Sequence, residues 1–148
     1  SASVRRITAI NFESKEETIV SLQVCKIMNN NNLKQRKSSS SSPNEKRVFL
    51  IAGTSKGSIV IWNLYLDYDK NSKEDKLEYQ KIHEFKQAHG TTDIDCLEVN
   101  VIKRNENEYE HHLLSTGKDT KCNLWSLDKM SKITELLYTK GNIEFFLL

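Results

Sequence analysis

Ser115, His89 and Asp119 are the three residue types of a nucleophilic relay, in which a hydroxyl attacks, an imidazole takes its proton and a carboxylate orients the ring. Their setting argues against that use. A serine nucleophile of the strand-to-helix kind sits in a Gly-x-Ser-x-Gly elbow, whereas Ser115 lies in the strand-forming run Leu113 to Thr116. For His89 a metal or acid-base role would need ligands at fitting spacing, and only Asp93 is near enough in sequence. His111 and His112 are adjacent, so on a strand their rings point to opposite faces and cannot share a metal. Cys25, Cys96 and Cys122 form neither a Cys-x-x-Cys pair nor a zinc-type Cys/His pattern. Their β-forming neighbours make reduced, buried strand cysteines the expectation, and with it a reducing compartment. Gly53 and Gly57 flank a turn without either glycine pattern of a phosphate cradle, so turn geometry accounts for them. The expectation is a chain with no catalytic residue, no metal site and no cofactor.

Other residues could touch partners. Arg5, Arg6, Lys34, Arg36 and Lys37 are candidate phosphate contacts, against the plainer reading of solvated loop charges. The serine run from Ser38 to Ser42 follows Arg36-Lys37 and precedes Pro43; it is a candidate for phosphorylation, which would turn a basic loop acidic. Trp62 suits packing at a strand end. Tyr65 and Tyr68 follow it near a polar stretch, where exposed aromatic side chains could anchor a partner. The net charge of +2 arises from 22 basic and 20 acidic residues intermixed along most of the chain, so charge alone implies neither nucleic acid nor an anionic membrane.

The elements that must position these residues are short and apolar. Ile19 to Ile27, Val48 to Ala52, Ser58 to Leu64, Ile94 to Val99, Leu113 to Thr116 and Cys122 to Leu127 are rich in β-branched and aromatic types, with glycine at the breaks. Val20, Leu22 and Val24 alternate, and Ile94, Cys96, Leu97 and Val99 do so imperfectly. The best helical candidate, 128–137, contains Ser131, Ile133 and Thr134 and lacks a sustained amphipathic stripe, so β structure is expected throughout. Residues 29–46 carry four asparagines, five serines and the single proline, a composition that cannot bury enough apolar surface to offset chain entropy; a disordered surface loop is expected. The polar stretches 67–76 and 103–110 read as solvent-facing connections.

Sliding the chain on itself by 63 positions pairs LIAGTSKGSIVIWNL (Leu50 to Leu64) with LLSTGKDTKCNLWSL (Leu113 to Leu127) and superposes Trp62 on Trp125. Each copy is a strand, a tight polar turn and a second strand ending in tryptophan. On these residues the chain resembles the WD-repeat family, whose four-stranded blades run from a Gly-His to a Trp-Asp. Ala88-His89, the turn Gly117-Lys118-Asp119 and Trp125-Ser126 carry the resemblance in the second copy. It implies that His89, Ser115, Asp119 and Trp125 form a structural hydrogen-bonded set. The first copy departs, with Ala52 for the serine, Lys56 for the turn aspartate and no Gly-His ahead of Ile19, and neither copy ends in Trp-Asp. The first blade is therefore expected to rest on apolar packing alone.

The resemblance implies an all-β partial propeller of about two blades plus flanking strands, divided as 1–16 (outer strand of a preceding blade), 17–88 (degenerate blade with the insertion 29–46), 89–139 (second blade) and 140–148 (start of a following one). Propellers need about four blades to close, so a piece of a larger ring, or one completed by another chain, is expected. The order of FLIAGTSKGSIVIWNL, a charged insertion, Gln87-Ala88-His89, DIDCLEV and HHLLSTGKD is similar to the C-terminal propeller of the WD-repeat partner subunits of tRNA 2'-O-ribose methyltransferases acting on the anticodon loop. That resemblance implies a non-catalytic subunit positioning tRNA or enzyme, with a protein partner, tRNA through the complex and no membrane. A generic WD-repeat adaptor in a chromatin, ribosome-biogenesis or ubiquitin-ligase complex is the alternative. The ligase version is disfavoured because no arginine follows either Trp62 or Trp125 at the blade end. Without an apolar run of about 20 residues or an Asn-x-Ser/Thr pattern, the expected location is cytoplasmic, with nuclear as the alternative.

Overall fold

The computed structural model describes residues 9–12, 16–28, 47–139 and 142–147. Arg5, Arg6, Lys34, Arg36, Lys37 and the serine run from Ser38 to Ser42 lie outside them. Along the described residues run nine strands: β1 (Ile19–Ile27), β2 (Arg47–Thr54), β3 (Ile59–Asp69), β4 (Glu74–Phe85), β5 (Ile94–Asn105), β6 (Glu108–Gly117), β7 (Lys121–Ser126), β8 (Ser131–Thr139) and β9 (Asn142–Leu147). They form two antiparallel meanders, β1-β2-β3-β4 and β5-β6-β7-β8-β9. The chain is thus all-β, two adjacent blades of a partial propeller. No helix among the described residues is long and apolar enough to cross a membrane.

Period-two alternation explains how the sheets stack. In the first sheet Phe49, Ile51, Ile59 and Ile61 face the second and bury with Leu97, Leu113, Trp125 and Leu127 in one core. The alternate residues Ala52, Val60 and Trp62 point the other way and are covered by Ile10 and Phe12. The central strands β2 and β3 are therefore buried on both faces, which is why they read as nearly continuous apolar runs. Gly53 marks the close approach of the sheets, since a Cβ there would lie 2.6 Å from Ile94 Cγ2. Gln23 Nε2 also donates across the junction to Leu97 O at 3.3 Å.

Several expectations need correction. Residues 67–76 and 103–110 are hairpin extensions rather than connections: β3 and β4 pair out to Asp69↔Glu74, and β5 and β6 out to Asn105↔Glu108. Charged side chains are tolerated because backbone pairing needs no apolar residue, and in the second extension residues 103–108 are all exposed. The stretch 128–137 gives a turn and β8. Of the 1–16 division, most lies outside the described residues, and 9–12 and 16 carry no strand by themselves. Residues 142–147, expected to begin a further blade, instead add β9 to β8 as a fifth strand. The apolar alternation of β1 faces outward, with Leu22 58% exposed and Val24 52%, while Cys25 is buried. In β5 a bulge between Ile94 and Cys96 returns Ile94 and Leu97 to one face and turns Cys96 outward, so Cys96 is exposed and not a core cysteine.

Candidate functional site

His89 sits in the tight turn after β4, between Gln87 and Gly90, both with positive φ. Its ring is fully buried against Gly117, where a Cβ would come within 2.7 Å of Cγ. Nδ1 lies 2.8 Å from Asp119 Oδ1, Nε2 lies 2.7 Å from Ser115 Oγ, and Trp125 Nε1 donates to the same Oγ at 2.8 Å. The assignment that satisfies every group has Nδ1–H donating to the carboxylate and the Ser115 hydroxyl, already an acceptor from the indole, donating to Nε2. Asp119 Oδ1 also accepts from Lys121 N at 3.2 Å, and Asn123 Nδ2 donates to Ala88 O at 2.9 Å. The structure thus brings the four residues of the set into one chain of hydrogen bonds that ties the turn to β6 and β7.

Chemically this chain resembles a Ser-His-Asp relay without access. Ser115 is fully buried and its oxygen holds the indole, so an electrophile has no approach. Asp93, the one sequence neighbour with ligand potential, pairs instead with Lys118 at 3.0 Å and holds that ammonium above its ordinary range. Among the described residues no group of three His, Cys, Asp or Glu could hold a metal.

The first sheet solves the same turn differently. Trp62 is buried in the apolar cluster, while Thr54 Oγ1 donates to Glu17 at 2.8 Å and accepts from Lys56 N and Ser58 N. Apolar packing is therefore joined by a threonine-centred turn and is not alone. Tyr65 is half-buried, its hydroxyl donating to Glu78 Oε2 at 3.2 Å, rather than exposed; the Tyr68 side chain lies outside the described residues.

Sequence reasoning missed a second buried histidine. His111, fully buried, places Nδ1 2.9 Å from Asp128 Oδ1, its amide donates to Asp128 Oδ2 at 2.7 Å, and its Nε2 accepts from Met28 N at 2.9 Å. That last bond joins the end of β1 to β6, across the sheets. The pairing of a histidine with an aspartate 17 positions on was the available signal, but nothing local points to Met28. Cys25, nearby, has its thiol pushed up to about 11 by burial first and by the Asp128 charge second.

Two further surfaces lie on the second sheet. An open groove of about 870 Å³ is lined by Tyr109, Glu110, His112, Asp128 and Lys132 among others. Its acids are engaged: Arg104 and His112 flank Glu110 and hold its carboxyl below the usual range, and Asp128 serves His111. The outer face of the second sheet carries His112, Leu114, Cys122 and Leu124, the repeat equivalents of Phe49, Ile51, Ile59 and Ile61. Ile51 is 0% exposed and Leu114 is 37%, so this position, covered in the first sheet, is open in the second, while His112, Cys122 and Leu124 are half-buried. No family model matches this chain, and no curated protein matches it.

Proposed function

We propose that the chain is part of a non-catalytic WD-repeat scaffold, a protein-interaction subunit that positions tRNA or its enzyme for 2'-O-ribose methylation in the anticodon loop. The observation that carries the scaffold reading is the Asp119–His89–Ser115–Trp125 chain on an antiparallel meander: four polar side chains are spent on fixing a turn, and three of them are buried. The methyltransferase partner rests on the order of segments around Gln87-Ala88-His89. The exposed Leu114 on the outer face of the second sheet supports an assembly role, because its repeat equivalent Ile51 is buried at the internal junction. That face is not a copy of the junction: Glu98 stands at the register position of Gln23, and Thr116 at that of Gly53. Its occupant therefore differs in shape and polarity from the second sheet.

Capture of the tagged full-length protein from its own cells, with and without nuclease, tests this. Co-purification of a 2'-O-methyltransferase together with tRNA is expected. Recovery of a chromatin, ribosome-biogenesis or ubiquitin-ligase complex, with methyltransferase and tRNA absent, sinks the specific assignment and leaves the generic adaptor. Loss of capture on Leu114→Glu, with thermal unfolding unchanged, is expected if the outer face serves the assembly.

A further inference from the structure

The two buried imidazoles differ in what faces their acceptor nitrogen. His89 Nε2 meets the Ser115 hydroxyl, a group that rotates and can accept instead of donate. His111 Nε2 meets the Met28 backbone N–H, which can only donate. A proton added to Nε2 of His89 is absorbed by a turned hydroxyl, whereas one added to His111 sets two N–H groups against each other at 2.9 Å. Asp128 keeps Nδ1–H and the His111 amide in either state, so only the Met28 side of the ring changes.

We propose that His111 is an acid-sensitive latch between the two sheets: protonation of its ring releases Met28 and frees the end of β1 from β6, while the His89 end of the junction stays closed. The other end is held by a backbone bond, His89 N to Gly57 O at 3.0 Å, that carries no titratable group. The junction thus opens from one side, next to Cys25 and Ile27 at the margin of the shared core. Charged and titratable groups on the elements around the ring include Asp128 and Lys129 from the turn after β7, Cys25 and Lys26 from β1, Arg47 opposite Ile27 on β2, Lys103 on β5, and Tyr109, Glu110 and His112 on β6. Asp128 holds the imidazole at Nδ1, on the other ring nitrogen from the Met28 bond, so the ring stays anchored when that bond is lost.

Nuclear magnetic resonance of the whole chain between about pH 8 and pH 5, which spans imidazole titration, tests this through the His111 ring ¹⁵N shifts and Met28 amide exchange corrected for its intrinsic pH dependence. Met28 protection should fall about tenfold, the scale of one lost hydrogen bond, with a midpoint that tracks His111 ionisation. The Trp125 indole N–H should keep its protection. Met28 protection that is flat over that range overturns the latch, as does an acid loss that persists unchanged in His111→Gln. If that variant does not fold, the wild-type comparison decides by itself: loss of Met28 protection while the His111 ring stays neutral is equally fatal.

Discussion

The hairpins β2–β3 and β6–β7 share a backbone and differ in chemistry. Both place a tryptophan on the second strand, and both have a bulge opposite the third neighbour at the same repeat position, Ile61/Trp62 and Leu124/Trp125. The inner strands repeat as well, with irregular pairing at Ile19/Ser21 and at Ile94/Cys96. Yet one tryptophan rests on Ala52 and Val60 and the other hydrogen-bonds to Ser115. Bulges and register follow from backbone pairing and survive such changes. The polar chain requires four residue types together, so one hairpin can lose it whole and substitute apolar packing.

The largest contrast is in thiol reactivity. Cys25 lies inside the junction with its thiol pushed up to about 11, and Cys96 lies on the open face. At about pH 8 Cys25 is about one-thousandth thiolate. Iodoacetamide followed by peptide mass spectrometry should therefore modify Cys96 at least about a hundredfold faster than Cys25, with Cys25 reacting at an appreciable rate only in denaturant. Comparable rates in native protein would mean that the junction around Cys25 opens freely. The same shift has a sign in stability. Below an ordinary value of 9.0 the thiol is neutral folded or unfolded; above it the unfolded chain loses the proton first, so the stability it contributes is lost as pH rises from about 9 to about 11. Urea denaturation across that window should show the decline in wild type and a shallower one in Cys25→Ala.

Reciprocal substitution at the paired positions tests the hairpins directly. Ser115→Ala leaves the Trp125 indole N–H and His89 Nε2 without their shared partner in a fully buried site, and should cost about 3 kcal/mol in urea denaturation. Ala52→Ser introduces a hydroxyl among the side chains of Val60, Trp62, Ile10 and Phe12, which offer no acceptor, and should cost about 1 kcal/mol. Equal costs would mean that the second hairpin does not depend on its polar chain.

How much of this was legible follows from where each partner sits. The strands β2, β3, β6 and β7 were readable because apolar side chains mark them on both copies, and Ser115, Asp119 and Trp125 because a hairpin fixes their spacing. Cys96 was misplaced because a bulge slips the alternation by one, which composition does not record. The ends of β3, β4, β5 and β6 were hidden by charge, since an extended hairpin pairs its backbone whatever its side chains. The His111 latch joins residues 83 apart and depends on a main-chain N–H, which has no sequence signature.

The smallest effect comes from the turns themselves. Gly57 and Thr120 are repeat equivalents with φ of 78° and 64°, and their amides accept the same job, donating to Thr54 O at 3.3 Å and Gly117 O at 3.2 Å. Gly57 is required twice over, because a Cβ there would also meet Gly90 O at 2.5 Å. Thr120 is a β-branched residue in the left-handed region, a conformation that costs about 1 kcal/mol or more relative to glycine. The second hairpin tolerates it because Asp119 Oδ1 braces the next amide, Lys121 N. Thr120→Gly should therefore stabilise the protein by about 0.5–1 kcal/mol, the relief of strain being partly offset by the greater freedom of glycine in the unfolded chain. A loss of stability would show that the threonine side chain holds the turn by a contact of its own, and that the two hairpins differ in their turns as much as in their tryptophans.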